Sequence, residues 1–214
     1  MKTKKYDELI KNINMNCYAL NLPDKVIEEA ILLFKHYVQK KNLQGMSLEQ
    51  YIGGLIWLAC HKCNYPITPK SINNILQLDI QRSGSLIKGE FTIMRIGKLI
   101  SQILHENIKP ITLDKYIEMI QAKVNSPIKA VTQSIIIINY IEKNNLDIGH
   151  NYPALSSAIC YISDRIYQHK INESEYSNIV GISTVSLRSY KRKLIKIIPN
   201  IKKHGTKYKW IEKF

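Results

Sequence analysis

The stretch NESEYSNIVGISTVSLRSYKRKLIKII, at positions 172–198, decides how the second half of the chain folds. It opens with Asn172 and Glu175, a pair typical of a helix N-terminus. Gly181 then interrupts the apolar pattern, and Ser183 can cap a second helix. A short helix, a tight turn and a longer helix are the pattern of a helix-turn-helix.

The second helix of this stretch has two distinct faces. Apolar residues recur at steps of three and four and predict one buried stripe, Leu187, Tyr190, Leu194 and Ile198. Basic residues recur at steps of four on a separate face, Arg188, Arg192 and Lys196. One face is therefore expected to pack, and the other to meet anions.

Positive charge is concentrated at this end of the chain. From Gly181 to Phe214 there are ten Lys and Arg residues and one acid, Glu212, so +9 of the net +14 lies in the last 34 residues. A run of lysines can simply be the solvated surface of a protein from an AT-rich genome. The turn and the basic row together favour nucleic-acid binding, which should weaken steeply with added salt.

Length and composition restrict the class of protein. The chain has 214 residues, 45% of them hydrophobic, and no apolar run as long as a membrane span or a signal peptide, so a soluble, intracellular protein without a membrane partner is expected. Four irregularly spaced cysteines argue against a secreted disulfide scaffold.

Helical periodicity covers most of the chain, and no strand-like alternation is visible. The predicted helices before the central loop are Tyr6–Tyr18, Asp24–Lys41, Leu48–Lys62 and a short one after Thr68-Pro69. The next two are Glu90–Leu104 and Leu113–Lys123. The segment 48–62 is apolar nearly all round, so it should be central.

The chain also matches itself at an offset of 104 residues. This offset superposes Pro23 on Pro127, Trp57 on Tyr161 and Thr68 on Asn172. The register breaks at residues 82–90, which are extra in the first half, and continues at an offset of 95. A period this long indicates a duplicated domain, so the sequence predicts an all-α protein of two repeats with about five helices each.

Candidate metal and catalytic motifs are weak. The run Cys60-His61-Lys62-Cys63 has zinc-like spacing, but a tetrahedral site needs a second pair of ligands, so core packing plus a helix end is the favoured interpretation. The histidines and acids form no catalytic constellation. The sequence predicts no enzyme, no cofactor and no metal.

Several quoted segments resemble one family. LNLPDKVIEEA (20–30) and NLQGMSLEQYIGGLIWLACHKCNYPITPKSI (42–72) resemble the first cyclin-like repeat of transcription factor IIB and its archaeal counterpart TFB. GHNYPALSSAICYIS (149–163) and VGISTVSLRSYKRKL (180–194) are similar to the second repeat and its recognition helix. Met46 and His150 stand where the family has loop arginines, and Trp57 replaces a tyrosine. The resemblance spans residues 6–198.

The resemblance implies a fold and a function. Two tandem cyclin-like five-helix repeats are expected, the first at 1–110 with an entry helix, the second at 111–199 ending in the helix-turn-helix, followed by a basic tail at 200–214. Such a core binds double-stranded promoter DNA with TATA-binding protein and reads an element upstream of the TATA box. RNA polymerase is a further implied partner, and a monomer is expected.

Site residues follow from the same resemblance. Expected base contacts come from Val185, Ser186 and Arg188, although Val185 could instead close the turn. Expected phosphate contacts come from Ser189, Arg192, Lys193, Lys196, Lys202 and Lys203. For the tail, disorder is favoured over a phosphate-contacting extension.

Some twenty residues precede the first repeat, where the family carries a zinc ribbon, so either a longer protein was cut or the ribbon is absent, as in a viral relative or an archaeal paralogue. The implied location is the cytoplasm or nucleoid of an archaeon, or the nucleus or viral factory of a eukaryotic system. The alternative function is a cyclin-like protein-binding module that acts on a kinase, or a competitor of the full initiation factor.

Overall fold

The computed structural model describes residues 2–40, 47–82, 85–87, 89–149, 151–204 and 207–210. Met46 and His150, which stand where the resembling family has loop arginines, lie outside this part. The described chain forms two compact units, a first unit at Met1–Ile111 and a second unit at Thr112–Phe214. Each unit contains five described helices, which confirms the predicted all-α class.

The first unit is built around one helix. Its helices are α1 Lys2–Ala19, α2 Asp24–Lys40, α3 Leu48–Lys62, α4 Pro69–Leu76 and α5 Gly89–Leu104. Helix α3 contacts the other four, and every residue from Tyr51 to Cys60 is buried, as its all-round apolar sequence predicts. Ser47 begins this helix with a capping box to Gln50.

Two glycines let α3 and α5 approach closely. A Cβ added to Gly54 would lie 2.5 Å from Ile96 Cγ2 and 2.9 Å from the Gly97 backbone nitrogen. A Cβ added to Gly97 would lie 2.3 Å from the Trp57 ring. The two helix backbones can pack at this distance only because neither position carries a side chain.

A short hairpin joins α4 to α5. Strand β1, Ile80–Arg82, pairs antiparallel with β2, Ser85–Ile87. These strands occupy the extra segment of the first repeat and correct the prediction that the chain contains no strands. Buried Asn73 closes the base of the connection, because its Oδ1 accepts from Leu78 N at 3.0 Å and its Nδ2 donates to Asp79 at 2.8 Å.

The second unit has the same order of helices. These are α6 Leu113–Val124, α7 Ile128–Lys143, α8 Tyr152–Ile166, α9 Glu173–Val180 and α10 Thr184–Ile197. Helix α8 is central, contacts the other four, and is buried from Ala154 to Asp164. A side chain from Ser156 also reaches the Leu113 carbonyl of α6, at 3.4 Å.

Helix boundaries reproduce the internal repeat. Three pairs of helices start 104 residues apart and the fourth pair 95 apart, as the sequence offsets predict. The paired first residues are Asp24 and Ile128, Leu48 and Tyr152, Pro69 and Glu173, and Gly89 and Thr184. The two units are therefore copies of one five-helix plan.

The tail forms structure where disorder was predicted. Strand β3, Ile201–His204, pairs antiparallel with β4, Lys207–Trp210, and β4 lies against α8. Ile201 is only 2% exposed, so it ties the start of the hairpin to the second unit. Burial of apolar side chains immediately after α10 accounts for the ordered hairpin. The basic composition of the tail had suggested disorder instead. Across the described residues no helix combines the length and apolarity that crossing a membrane requires.

Candidate nucleic-acid interface

Helices α9 and α10 form the predicted helix-turn-helix. Asn172 caps α9, and its Oδ1 accepts from Glu175 N at 2.8 Å. Gly181 ends α9 with φ of +82°, a left-handed conformation that glycine adopts without a Cβ penalty. Ser183 then caps α10 by accepting from Ser186 N at 3.0 Å. The chain therefore turns within three residues, and both predicted caps are confirmed.

The buried face of α10 differs from the prediction at one position. Leu187, Leu194 and Ile198 are fully buried, as expected. Tyr190, however, is only half-buried, and its hydroxyl accepts from Asn151 N at 3.3 Å. The stripe is completed by Lys191, whose position is four residues after Leu187 and three before Leu194, and which is 6% exposed.

The opposite face of α10 is exposed. One stripe at helical spacing of three and four runs along it, Val185, Arg188, Ser189, Arg192 and Lys196. Val185 at the start is 73% exposed, whereas Ile182 in the turn is buried. Ile182 rather than Val185 therefore closes the turn, which leaves the Val185 methyl groups on the surface with the basic side chains.

The other predicted site residues lie around this stripe. Ser186 is half-buried, and its Oγ lies 2.8 Å from Ser183 Oγ within the cap. Lys193 is exposed, with Nζ 5.0 Å from the centroid of the Tyr190 ring. Lys202 is exposed on β3, while the Lys203 side chain lies outside the described part of the structure. The second unit thus brings together most of the residues that the sequence singled out.

An acid joins the exposed and buried faces of α10. Glu173, the first residue of α9, accepts through Oε2 from Arg188 Nε at 2.6 Å. Its other oxygen, Oε1, accepts from Lys191 Nζ. The Lys191 ammonium also lies 4.5 Å from the centroid of the Tyr161 ring, a cation–π contact. The sequence interpretation missed this cluster, because it counted Lys191 only as one of the ten basic residues at this end of the chain.

Electrostatics support an ionised Glu173. Burial raises the pKa of this carboxyl, but the hydrogen bonds from Arg188 and Lys191 outweigh that effect and hold its pKa below the ordinary value. At neutral pH the cluster therefore contains one carboxylate and two cations. In the sequence, Glu173 and Lys191 are 18 positions apart, so residue type and spacing do not reveal that they form a pair.

The candidate metal motif is part of the first unit's core. Cys60 is buried in α3, and Cys63 is the C-cap of that helix, as the packing interpretation predicts. Cys17 and Cys160 are buried as well. Among the residues that the structure describes, no three His, Cys, Asp or Glu side chains are grouped to hold a metal ion.

Comparison with known proteins bears on both units. Residues 3–94 match the family model described as "Transcription factor TFIIB repeat". "Transcription initiation factor IIB 1" of Thermoplasma volcanium is 20% identical over 187 residues, which cover 87% of this chain and 57% of that protein. "Transcription initiation factor IIB" of Methanococcus maripaludis is 22% identical over 175 residues, covering 82% and 49% respectively.

The first unit matches the transcription factor IIB repeat, and the chain is similar to archaeal transcription initiation factors IIB. The family model covers most of the first unit, and the similarity to the archaeal relatives extends over both units. The relatives are named as transcription initiation factors rather than as enzymes. The chain spans about half the length of the curated relatives that it matches.

Proposed function

We propose that this chain acts in transcription initiation by binding double-stranded promoter DNA together with TATA-binding protein, and that α10 reads an element upstream of the TATA box. RNA polymerase is the further partner that a factor of this kind serves. The observation that carries the proposal is the exposed stripe of α10, which begins with Val185 and Arg188 and continues with Arg192 and Lys196.

The two ends of this stripe suit different parts of DNA. An arginine near the start of a recognition helix can pair with guanine O6 and N7, and an exposed valine can contact a thymine methyl group. Cations further along a helix fit the phosphate backbone. The proposed base contacts are therefore Val185, Ser186 and Arg188. The proposed phosphate contacts on α10 are Ser189, Arg192, Lys193 and Lys196.

The tail extends the phosphate-binding surface in this proposal. Lys202 is exposed on β3, directly after α10, and the hairpin carries further lysines on its backbone register, where Lys202 pairs with Lys209. Cations on an ordered hairpin approach phosphates at lower entropic cost than cations on a flexible tail. We therefore include Lys202 and Lys203 among the phosphate contacts.

Fluorescence anisotropy of a labelled promoter fragment tests the proposal. The fragment is titrated with the chain, with and without TATA-binding protein, at two salt concentrations. We expect TATA-binding protein to tighten binding and the sequence upstream of the TATA box to change it. Binding that ignores both and only weakens with salt contradicts the proposal, and recovery of a kinase by the same protein would support the alternative cyclin-like role.

Two substitutions separate base reading from phosphate binding. Arg188→Ala should reduce the preference for the upstream element by roughly 5- to 150-fold, since one good bidentate contact is worth about 1–3 kcal/mol. Lys193→Ala should weaken binding to all sequences alike. It should also reduce the slope of the logarithm of the binding constant against the logarithm of the salt concentration by about one. Equal losses on every sequence for both variants would show that Arg188 does not read a base.

A further inference from the structure

We propose that Glu173 is a specificity-determining residue, which positions the Arg188 guanidinium for base reading before DNA binds. The inference rests on the proposed function of α10. It assigns a role in DNA recognition to a residue that lies outside the recognition helix, at the start of α9.

The contact geometry supports a positioning role. Glu173 Oε2 binds the Nε side of Arg188, at 2.6 Å, and Arg188 remains 56% exposed. The guanidinium is planar, with its two terminal amino groups directed away from Nε. Fixing Nε therefore fixes the direction of the amino pair that can donate to guanine O6 and N7.

Glu173 is itself held in place. Its second oxygen is bound by Lys191, and the Lys191 side chain is only 7% exposed. The Lys191 ammonium lies against the Tyr161 ring, so the lysine cannot turn to solvent without leaving the core. Glu173 is also the first residue of α9, directly after the Asn172 cap. The carboxylate is thus anchored from two helices, and Arg188 is oriented against a rigid support.

Simple charge repulsion predicts a different effect of removing Glu173 on DNA binding. If Glu173 acted only as an acid near DNA, its removal would tighten binding to every sequence, because one repulsive charge would disappear. A positioning role predicts that removal of Glu173 lowers the preference for guanine. An arginine side chain that no acid holds in place must lose rotamer freedom when it binds the base. The ratio of affinities for two sequences therefore distinguishes the two roles.

The experiment compares three variants with the wild-type chain. Glu173→Gln removes the carboxylate charge. Glu173→Gln with Lys191→Met also replaces the lysine that would otherwise be buried without its acid, so the fold is preserved. Glu175→Gln is the matched control, because it neutralises an acid of the same helix whose carboxylate accepts from Asn172 Nδ2, at 3.5 Å, rather than from Arg188.

The measured quantity is the ratio of dissociation constants for two promoter fragments, each with TATA-binding protein present. One fragment carries guanines upstream of the TATA box, and in the other these guanines are replaced. Glu173→Gln and the double variant should lose about tenfold of the wild-type ratio, within the range of one base contact. Glu175→Gln should retain the ratio.

A second measurement tests the contact without DNA. In the free wild-type protein, Arg188 Nε–H should give a shifted ¹⁵N–¹H NMR signal with slow exchange, and Glu173→Gln should return this signal to the position of a solvated arginine. A solvated signal in the wild-type protein would contradict the positioning role directly.

The outcomes separate this inference from the proposed function. If the wild-type ratio is close to one, base reading by α10 is wrong and the inference is wrong with it. If the wild-type chain discriminates and the folded double variant discriminates equally well, only the role of Glu173 is wrong. Tighter binding to both fragments at an unchanged ratio would show that Glu173 acts by charge alone.

Discussion

The last helices of the two units, α5 and α10, take equivalent places in the repeat but are held in different ways. Helix α5 packs through Gly97 and Ile96 against Gly54 and Trp57 of α3, a close contact without charged side chains. In the second unit the position of Ile96, at an offset of 95, is Lys191. Its ammonium contacts the ring of Tyr161, which occupies the place of Trp57.

The connections before these helices differ as well. Residues of the β1–β2 hairpin lead into α5, and Asp79 accepts from Gly89 N at 2.8 Å to fix the start of that helix. Only Gly181, Ile182 and Ser183 separate α9 from α10. In the first unit, close packing holds the last helix against the central helix. In the second unit, a buried charge lies at the equivalent place and is linked through an acid to an exposed arginine.

The largest effect is expected from filling the glycine contact of the first unit. Gly54→Ala should destabilise that unit by about 3 kcal/mol, because the new Cβ would meet Ile96 at 2.5 Å and the Gly97 nitrogen at 2.9 Å. Urea unfolding followed by Trp57 fluorescence, in a Trp210→Phe background, measures it. The control is Ala158→Gly at the equivalent place in the second unit, which should cost about 1 kcal/mol there, measured by urea unfolding followed by circular dichroism. Equal effects of both would refute the difference in packing.

The next largest effect on stability is expected from breaking the Glu173–Lys191 ion pair of the second unit. Glu173→Gln should cost about 2 kcal/mol, less than the usual cost of breaking a buried pair, because the Glu173 side chain is 26% exposed. Lys191→Met added to it should restore most of the stability. Thermal unfolding by circular dichroism measures both variants. A double variant that is no more stable than the single one would argue against the buried charge of Lys191 as the cause.

Equivalent helix caps should have equivalent, smaller effects. Thr68 caps α4 by accepting from Ser71 N at 3.1 Å, and Asn172 caps α9 in the same way at the matching position. Each alanine substitution should cost about 1 kcal/mol, since it leaves a helix N–H without its acceptor. Denaturant titration with a probe in each unit checks that each loss is confined to its own unit. A loss that spreads to both units would contradict the independence of the two copies.

The smallest expected effect is a dependence of the free energy of unfolding on pH that is specific to the second unit. Buried Asp164 stands where the first unit has Cys60. Burial raises its pKa, and the neighbouring Ser126, His169 and Tyr176 oppose the rise only in part. A carboxyl whose pKa is higher in the folded state binds more protons there than in the unfolded state.

The sign of that dependence follows directly. The contribution of Asp164 to stability is fully present below its unfolded pKa of about 3.9 and is lost as the pH rises through the folded value. Asp164→Asn should flatten the fall in stability over this window, whereas a Cys60→Ser variant should leave it in place. Free energies of unfolding measured from pH 4 to pH 7 test this expectation. An identical slope in the wild-type and Asp164→Asn proteins would exclude the carboxyl as the source.

Long periodic features of the fold were predictable from the sequence. Helix α3 begins and ends where the apolar run and Ser47 place it, and the offsets of 104 and 95 residues recur in the helix starts. These features are repeated over many residues, so single exceptions do not obscure them. The exposed row of Arg188, Arg192 and Lys196 was predictable for the same reason.

Short or mixed features were not predictable. Strand β1 has three residues, too few to show alternation, and the hairpin depends on Asn73, which binds backbone several residues away. Burial of Lys191 was not predicted, because residue type alone does not reveal that a distant acid compensates its charge. Its partner Glu173 lies 18 positions earlier, so the pair becomes visible only when the two helices pack.

The burial of the thiols makes this chain convenient for optical labelling. Three of its four cysteines lie in the cores, where burial raises the pKa of Cys17 to about 12 and suppresses its reactive thiolate. Cys63, at the end of α3, is the one cysteine that is not buried. A maleimide dye added to the native protein should therefore report from a single known place in the first unit, and energy transfer to labelled DNA could follow its approach to a promoter without redesign of the protein.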